Sequence, residues 1–165
     1  MAFAFAYSCG QRNSNKTTGT EIRTSKDPLI EENKRLTLEE SRIMDRYIER
    51  RKWDMTTTGT GLRYMIYENG YGVDAAEGMR ATVNYEIALM DGTLCYSSDE
   101  QGPRTFTIGR DNVESGIHEG ITYMKVGDKV KMLIPSYLAH GLVGDQNKIP
   151  PRSPLVVDLH LIRLD

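Results

Sequence analysis

Side chains able to do covalent or metal chemistry are few and dispersed in this sequence. The two cysteines, Cys9 and Cys95, stand far apart. One sits in an apolar N-terminal run and the other in an alternating segment, so no disulfide framework is implied. The three histidines are scattered. His118-Glu119 lacks the second histidine that a zinc-protease helix requires. The residues therefore suggest no metal site and no cofactor. The most informative stretch is Val83-Asn-Tyr-Glu-Ile-Ala-Leu-Met-Asp-Gly-Thr-Leu-Cys-Tyr-Ser-Ser98. There an alternating strand meets an Asp91-Gly92 turn, and a second strand ends in two serines.

Composition narrows the function classes. The chain has 165 residues, a length that fits one domain plus an appendage. Its net charge is only −2. No dense basic stripe is present, which argues against sequence-independent nucleic-acid binding. Arg50-Arg51-Lys52 reads as a solvated helix face. No stretch approaches the ~20 apolar residues of a membrane span.

The elements of the chain follow in order. Met1–Gly10 is apolar, rich in small residues and ends near Cys9. It looks like the end of a bacterial lipoprotein signal, with Cys9 as the lipid attachment residue. It lacks a positive region before it, which a start further upstream would supply, and Tyr7 is bulky for a cleavage site. Residues 11–26 are polar and read as a flexible tether, or equally as any polar tail. Asp27-Pro28 opens a helix. Thr37-Leu-Glu-Glu40 can form a capping box, so residues 28–53 read as one broken helix or two adjacent ones. Ile43, Met44, Tyr47 and Ile48 make an apolar stripe that docks on the following domain or on another chain. Thr56–Gly61 is a breaker run at a domain boundary. Beyond it, segments near Leu62–Tyr67, Val83–Leu89, Leu94–Ser98, Thr105–Ile108, Val130–Ile134 and Leu155–Leu161 have strand character. Ile117, Ile121 and Met124 mark a short one-sided helix. Ser136–Arg152 is a long loop of the kind that is usually functional or mobile. The fold class is α+β: a twisted antiparallel sheet of about five strands with one short helix laid on it.

Four pieces together make a pattern. They are the Val83–Ser98 run, Gly116-Ile-His-Glu-Gly-Ile121, Val126–Gly141 and Ile149-Pro-Pro-Arg-Ser-Pro-Leu155 running into the last strand. In this order and spacing the chain resembles the FK506-binding (FKBP-type) peptidyl-prolyl isomerases, over roughly Thr58–Asp165. The resemblance implies a half-barrel sheet wrapped on its helix, with residues 1–26 as signal remnant and tether, 27–57 as a helical extension and 58–165 as the FKBP-like domain. The helical extension resembles that of envelope lipoprotein members, including those associated with gliding motility. The implied activity is cis-trans isomerisation of X–Pro bonds in exported proteins. The implied location is the bacterial cell envelope, with the membrane reached through a lipid anchor. The helix at 28–53 is a candidate contact for a protein partner.

The resemblance also implies a pocket: Tyr85, Cys95, Tyr96, Val113, Ile117, His140, Ile149 and Val157. Tyr85, Val113 and Ile149 match the family pattern, and Ala139 and Gly141 keep the flanks of the loop motif. The family's Phe-Asp pair before Ser-Ser is Cys95-Tyr96 here, and its pocket-floor tryptophan is Ile117. Its loop tyrosine is His140. Its flap phenylalanine is Arg104, its apolar residue after Val113 is Glu114, and its terminal-strand phenylalanine is Val157. Losing aromatics that each bury ~150–250 Å² makes the expected pocket wider and wetter, with Tyr96 refilling part of it. Tyr85, Val113 and Ile117 also fit ordinary core packing, His140 an exposed loop and Cys95 an inert buried thiol. The expected function is a prolyl isomerase. The alternative is a noncatalytic FKBP-like module that binds peptides, acts as a chaperone or serves a motility complex.

Overall fold

The computed structural model describes residues 28–165. Cys9 and the expected signal remnant and polar tether of residues 1–26 lie outside the described residues.

Helix α1 runs unbroken over Pro28–Arg51. Proline suits the first turn, where its missing N–H costs nothing, and Glu31 near the start and Arg50-Arg51 at the end complement the helix dipole. Arg35 reaches back to Glu32 at 2.6 and 2.9 Å. The expected break at Thr37 is absent. Its hydroxyl donates to the Asn33 carbonyl at 2.9 Å, a bond made inside a continuing helix. Lys52, at φ 54°, turns the chain out. The Trp53 N–H then closes on the Ile48 carbonyl at 3.2 Å.

Seven strands follow rather than about five. They are β1 (Thr56–Thr57), β2 (Arg63–Glu68), β3 (Arg80–Leu89), β4 (Leu94–Ser97), β5 (Arg104–Thr107), β6 (Lys129–Ile134) and β7 (Leu155–Leu164). All pairings are antiparallel, in the order β1-β2-β6-β7-β3-β4, and β5 also pairs with β3. The two-residue β1 falls inside the expected breaker run, where no strand pattern can be read. The ten-residue β3 serves three partners: β7 along one edge, and on the other β5 at its first four residues and β4 at Glu86–Ala88. Gly92, at φ +95°, makes the β3–β4 turn, and Asp91 Oδ1 accepts the Thr93 N–H at 2.8 Å.

Among the described residues two α-helices besides α1 are present, with a 3-10 turn at Ser136–Leu138. Helix α2 (Ser98–Gln101) is a single turn capped by the Ser97 hydroxyl, and α3 (Ser115–Ile121) lies against the sheet. Ile117 and Ile121 are buried among Val130, Met132, Ile134, Leu159 and Leu161. Gly116 and Gly120 make this approach possible, because a Cβ at either would collide with Ile134 or Met132 of β6. Leu133 of β6 packs in a second, smaller cluster with Met44 and Tyr47 of α1, flanked by Ile48, Trp53, Met90 and Val156. The apolar stripe of α1 thus docks on its own domain. Burial of Met44 and Tyr47 contributes ~1.5–3 kcal/mol for each side chain.

Candidate functional site

A cavity of about 540 Å³ opens between β3, β4, the α2–β5 turn, the chain entering α3 and the loop after β6. Its wall includes Tyr85, Ile87, Tyr96, Arg104, Glu114, His140 and Asp145. Below it lies an apolar slot formed by Val83, Tyr85, Ile87, Phe106, Val113, Ile117 and Leu159, with Arg104 at its edge. Tyr85 and Ile87 belong to both. Strand alternation explains the pairing: the two residues sit two apart on β3 and face the same side. Leu159 joins them because it stands opposite Tyr85 on β7. The slot's free volume is about 10 Å³, room for roughly one water.

Tyr85 is 8% exposed, and its hydroxyl donates to Gln101 Oε1 at 2.8 Å. The ring is therefore held at both ends, by the slot below and by α2 above. Tyr96 pairs across from Ile87, and the register then slips so that Ala88 faces Leu94. Cys95 is the extra residue of this bulge. The bulge turns Tyr96 toward the cavity and sends Cys95 into the core, 1% exposed, with Sγ 3.7 Å from the Lys148 carbonyl. Burial first, and then the charge of Asp145, push the Cys95 thiol above its ordinary pKa.

The loop wall is organised by Asp145. One carboxylate oxygen accepts the Asn147 N–H at 2.9 Å and the Ile149 N–H at 2.7 Å. The other accepts the Tyr96 hydroxyl. Burial opposes ionisation of Asp145, but the hydrogen bonds from Tyr96 and from the Asn147, Ile149 and Lys148 amides outweigh it and hold the carboxyl at about 2. The same bond to Asp145, aided by burial, raises the Tyr96 phenol. Lys148 Nζ sits 5.2 Å from the Tyr96 ring centre.

Besides Asp145, charge enters the wall around Glu114. Glu114, whose side chain is 9% exposed, has Oε1 3.1 Å from His140 Nε2 and Oε2 3.6 Å from Arg104 Nη1. Arg104 Nη2 donates to the Asn112 carbonyl at 3.2 Å. The segment bearing Val113 and Glu114 is anchored by His118. Its Nδ1 accepts the Gly109 N–H at 2.9 Å and its Nε2 donates to the Asp111 carbonyl at 2.9 Å. His118-Glu119 is thus occupied structurally, with Glu119 accepting from the Thr60 hydroxyl. Among the described residues no group of three His, Cys, Asp or Glu is placed to hold a metal ion, and no helix is long and apolar enough to cross a membrane.

Of the eight pocket residues expected from sequence, Tyr85, Tyr96 and His140 stand on the cavity, and Val113 and Ile117 line the slot with Tyr85. Cys95, Ile149 and Val157 line neither. All three are core residues no more than 2% exposed. Sequence reasoning missed Ile87, Phe106, Leu159, Gln101 and Asp145. Strand period and pairing would have given Ile87 and Leu159. Asp145 has only the weak signal of an aspartate two residues before an asparagine in a turn-rich loop.

The pattern of the FKBP-type peptidyl-prolyl cis-trans isomerase family matches residues 72–162 of the chain. The chain belongs to this family. A probable FKBP-type peptidyl-prolyl cis-trans isomerase FkpA of Neisseria meningitidis is 38% identical over 109 residues, covering 66% of this chain and 39% of the relative. An FK506-binding protein of the same species is 37% identical over 105 residues, which cover 63% of this chain and 96% of that protein. The crystal structure of FkpA from Escherichia coli superposes with a TM-score of 0.65 at 31% identity, covering 81% of this chain and 64% of that one. The chain therefore spans about two fifths of the FkpA relative but matches nearly all of the shorter FK506-binding protein. The α+β FKBP-like fold and the N-terminal helix stand as expected from sequence, with more strands than were read.

Proposed function

We propose that this chain catalyses X–Pro rotation at the cavity, as a folding assistant for proline-containing segments of exported proteins. The observation that carries the proposal is the apolar slot under Tyr85, opening into a cavity in a chain of this family. A planar amide is charge-separated by resonance, and the barrier to its rotation is ~18–20 kcal/mol. The twisted transition state carries less of that charge separation. An apolar, water-poor surface therefore disfavours the planar ground state more than the twisted one. Because the slot is nearly full, the proline ring seats on its mouth against Tyr85, Ile87 and Val113. No bond breaks and no proton has to move.

Lipid attachment through Cys9 and residence at the bacterial envelope complete the proposal. The apolar Met1–Gly10 run and the polar 11–26 tether support them. Leu38 and Ile43, exposed on α1, support contact of this helix with a protein partner. The noncatalytic alternative draws on one specific observation: Glu114 and Arg104 bring charge to a wall that an isomerase pocket would keep apolar.

The test is the isomerisation rate of Leu–Pro peptides with the full chain, its Tyr85→Ala variant and its Tyr85→Phe variant. Acceleration by the wild type is expected, lost in Tyr85→Ala and largely kept in Tyr85→Phe, because the ring forms the slot and the hydroxyl is already committed to Gln101. A flat result for the folded wild type would sink catalysis and favour a binding module.

A further inference from the structure

Glu114 is the one deeply buried carboxylate on the cavity whose bonds are incomplete. Its side chain is 9% exposed, and Oε2 has no hydrogen-bond partner. Arg104 Nη1 lies 3.6 Å from that oxygen, beyond hydrogen-bond reach, and the arginine is committed elsewhere through Nη2. His140 Nε2 is close to the other oxygen at 3.1 Å yet is itself left without a hydrogen bond. Asp145, the other wall carboxylate, is different: its two oxygens are taken by Tyr96, Asn147 and Ile149. A buried carboxylate without its full complement of donors is costly, and a donor brought by a ligand relieves that cost.

The position of Glu114 gives this meaning. Val113 lines the slot, and Glu114, one residue further on, lines the open cavity. Adjacent residues are about 3.8 Å apart along any chain. A substrate whose proline covers Val113 therefore brings a neighbouring residue within reach of the Glu114 carboxylate.

We propose that Glu114 is a specificity-determining residue, selecting segments in which a lysine or arginine immediately flanks the proline and rejecting those with an acidic neighbour. This rests on the isomerase reading above. One charge-assisted hydrogen bond sets the scale: a ratio of kcat/KM between basic and acidic flanking residues on the order of tenfold.

The experiment measures kcat/KM of the full chain on two peptide series at low and high salt. One series places Lys, Leu or Glu before proline, and the other places them after it. The same series are run with Glu114→Gln and Glu114→Lys. The expected result is a Lys-over-Glu preference in at least one series that weakens with salt, falls to near one in Glu114→Gln and inverts in Glu114→Lys. A wild type that accelerates Leu–Pro peptides but has equal rates for Lys and Glu in both series overturns the inference and leaves the isomerase reading intact. A preference that survives in Glu114→Gln also overturns it. No acceleration of any peptide by the folded chain removes the isomerase reading, and the inference falls with it.

Discussion

Glu40 of the N-terminal helix grips Ser136, two residues beyond the end of β6, with both carboxylate oxygens. Oε1 accepts the Ser136 N–H at 2.7 Å and Oε2 accepts its hydroxyl at 2.6 Å. Ser136 opens the loop that carries His140 and Asp145 to the cavity wall. The helical extension is therefore joined to the site by a charge-assisted pair of bonds, and Met44 and Tyr47 fix the distance by packing on Leu133. Glu40→Ala is expected to lower unfolding free energy by ~1.5–3 kcal/mol, the range for a hydrogen bond to a charged group. Equilibrium denaturation reads the loss, and faster hydrogen exchange at the Ser136 amide locates it. A variant as stable as wild type with unchanged exchange would show that the clamp does not hold the loop.

Asp145 makes the same loop acid-sensitive. Its folded pKa of about 2 lies below the unfolded value of ~3.9. A depressed carboxylate stabilises the fold fully above the unfolded pKa, and the contribution disappears as pH falls from ~4 through about 2. Asp145→Asn should be less stable than wild type at neutral pH, because a neutral amide is a poorer acceptor for the Tyr96 hydroxyl and the loop amides. Urea unfolding of both proteins between pH 6 and pH 2 is the check, at values chosen to span that window. The gap should close at the acid end, and a gap independent of pH would contradict the assignment.

Much of the sheet was legible because its signal is local. Val83, Tyr85 and Ile87 alternate, and Asp91-Gly92 announces the hairpin between β3 and β4. The slot inherits that legibility through Tyr85, Val113 and Ile117. The β4 bulge was not legible. Whether Cys95 or Tyr96 meets the cavity depends on one slipped register, which no residue type in Leu94–Ser97 specifies. The role of Glu40 was hidden for another reason. Thr37 and Glu40 carry a sound capping-box spacing, but the Thr37 hydroxyl bonds the Asn33 carbonyl one turn back, Glu40 is taken by Ser136 far along the chain, and the docked helix continues. The two-residue β1 has no pattern to read and exists only because β2 offers it an edge.

Cys95 gives a chemical check on that register. Its thiol is buried, and burial followed by the Asp145 charge keeps it protonated beyond the usual range. In a Cys9→Ser variant, which leaves Cys95 as the sole thiol, a thiol-directed reagent should react at neutral pH no faster than the protein opens. Denaturant should release the full reaction. Rapid labelling of the native protein would place Cys95 on the cavity instead of beneath the loop.

Gly116 and Gly120 test how closely α3 must lie on β6. Replacing a helical glycine by alanine ordinarily stabilises by ~0.5–1 kcal/mol, through lower chain entropy in the unfolded state. At Gly116 the added Cβ would strike Ile134 Cγ2, with the Leu138 carbonyl 3.3 Å away on another side. The isoleucine is branched and fully buried, and the carbonyl belongs to the backbone, so neither yields easily. Overpacking of this kind costs ~1–3 kcal/mol, more than the entropic gain. At Gly120 the obstacle is the sulfur of Met132, an unbranched side chain with several rotatable bonds. Gly116→Ala should therefore lower the unfolding free energy, while Gly120→Ala should cost less. Because Gly116 adjoins Ile117 of the slot, Gly116→Ala should also slow Leu–Pro isomerisation more than Gly120→Ala does. Denaturation midpoints and peptide rates for the pair decide the matter. The reverse order would mean that α3 shifts as a unit and that the slot does not depend on its close seat.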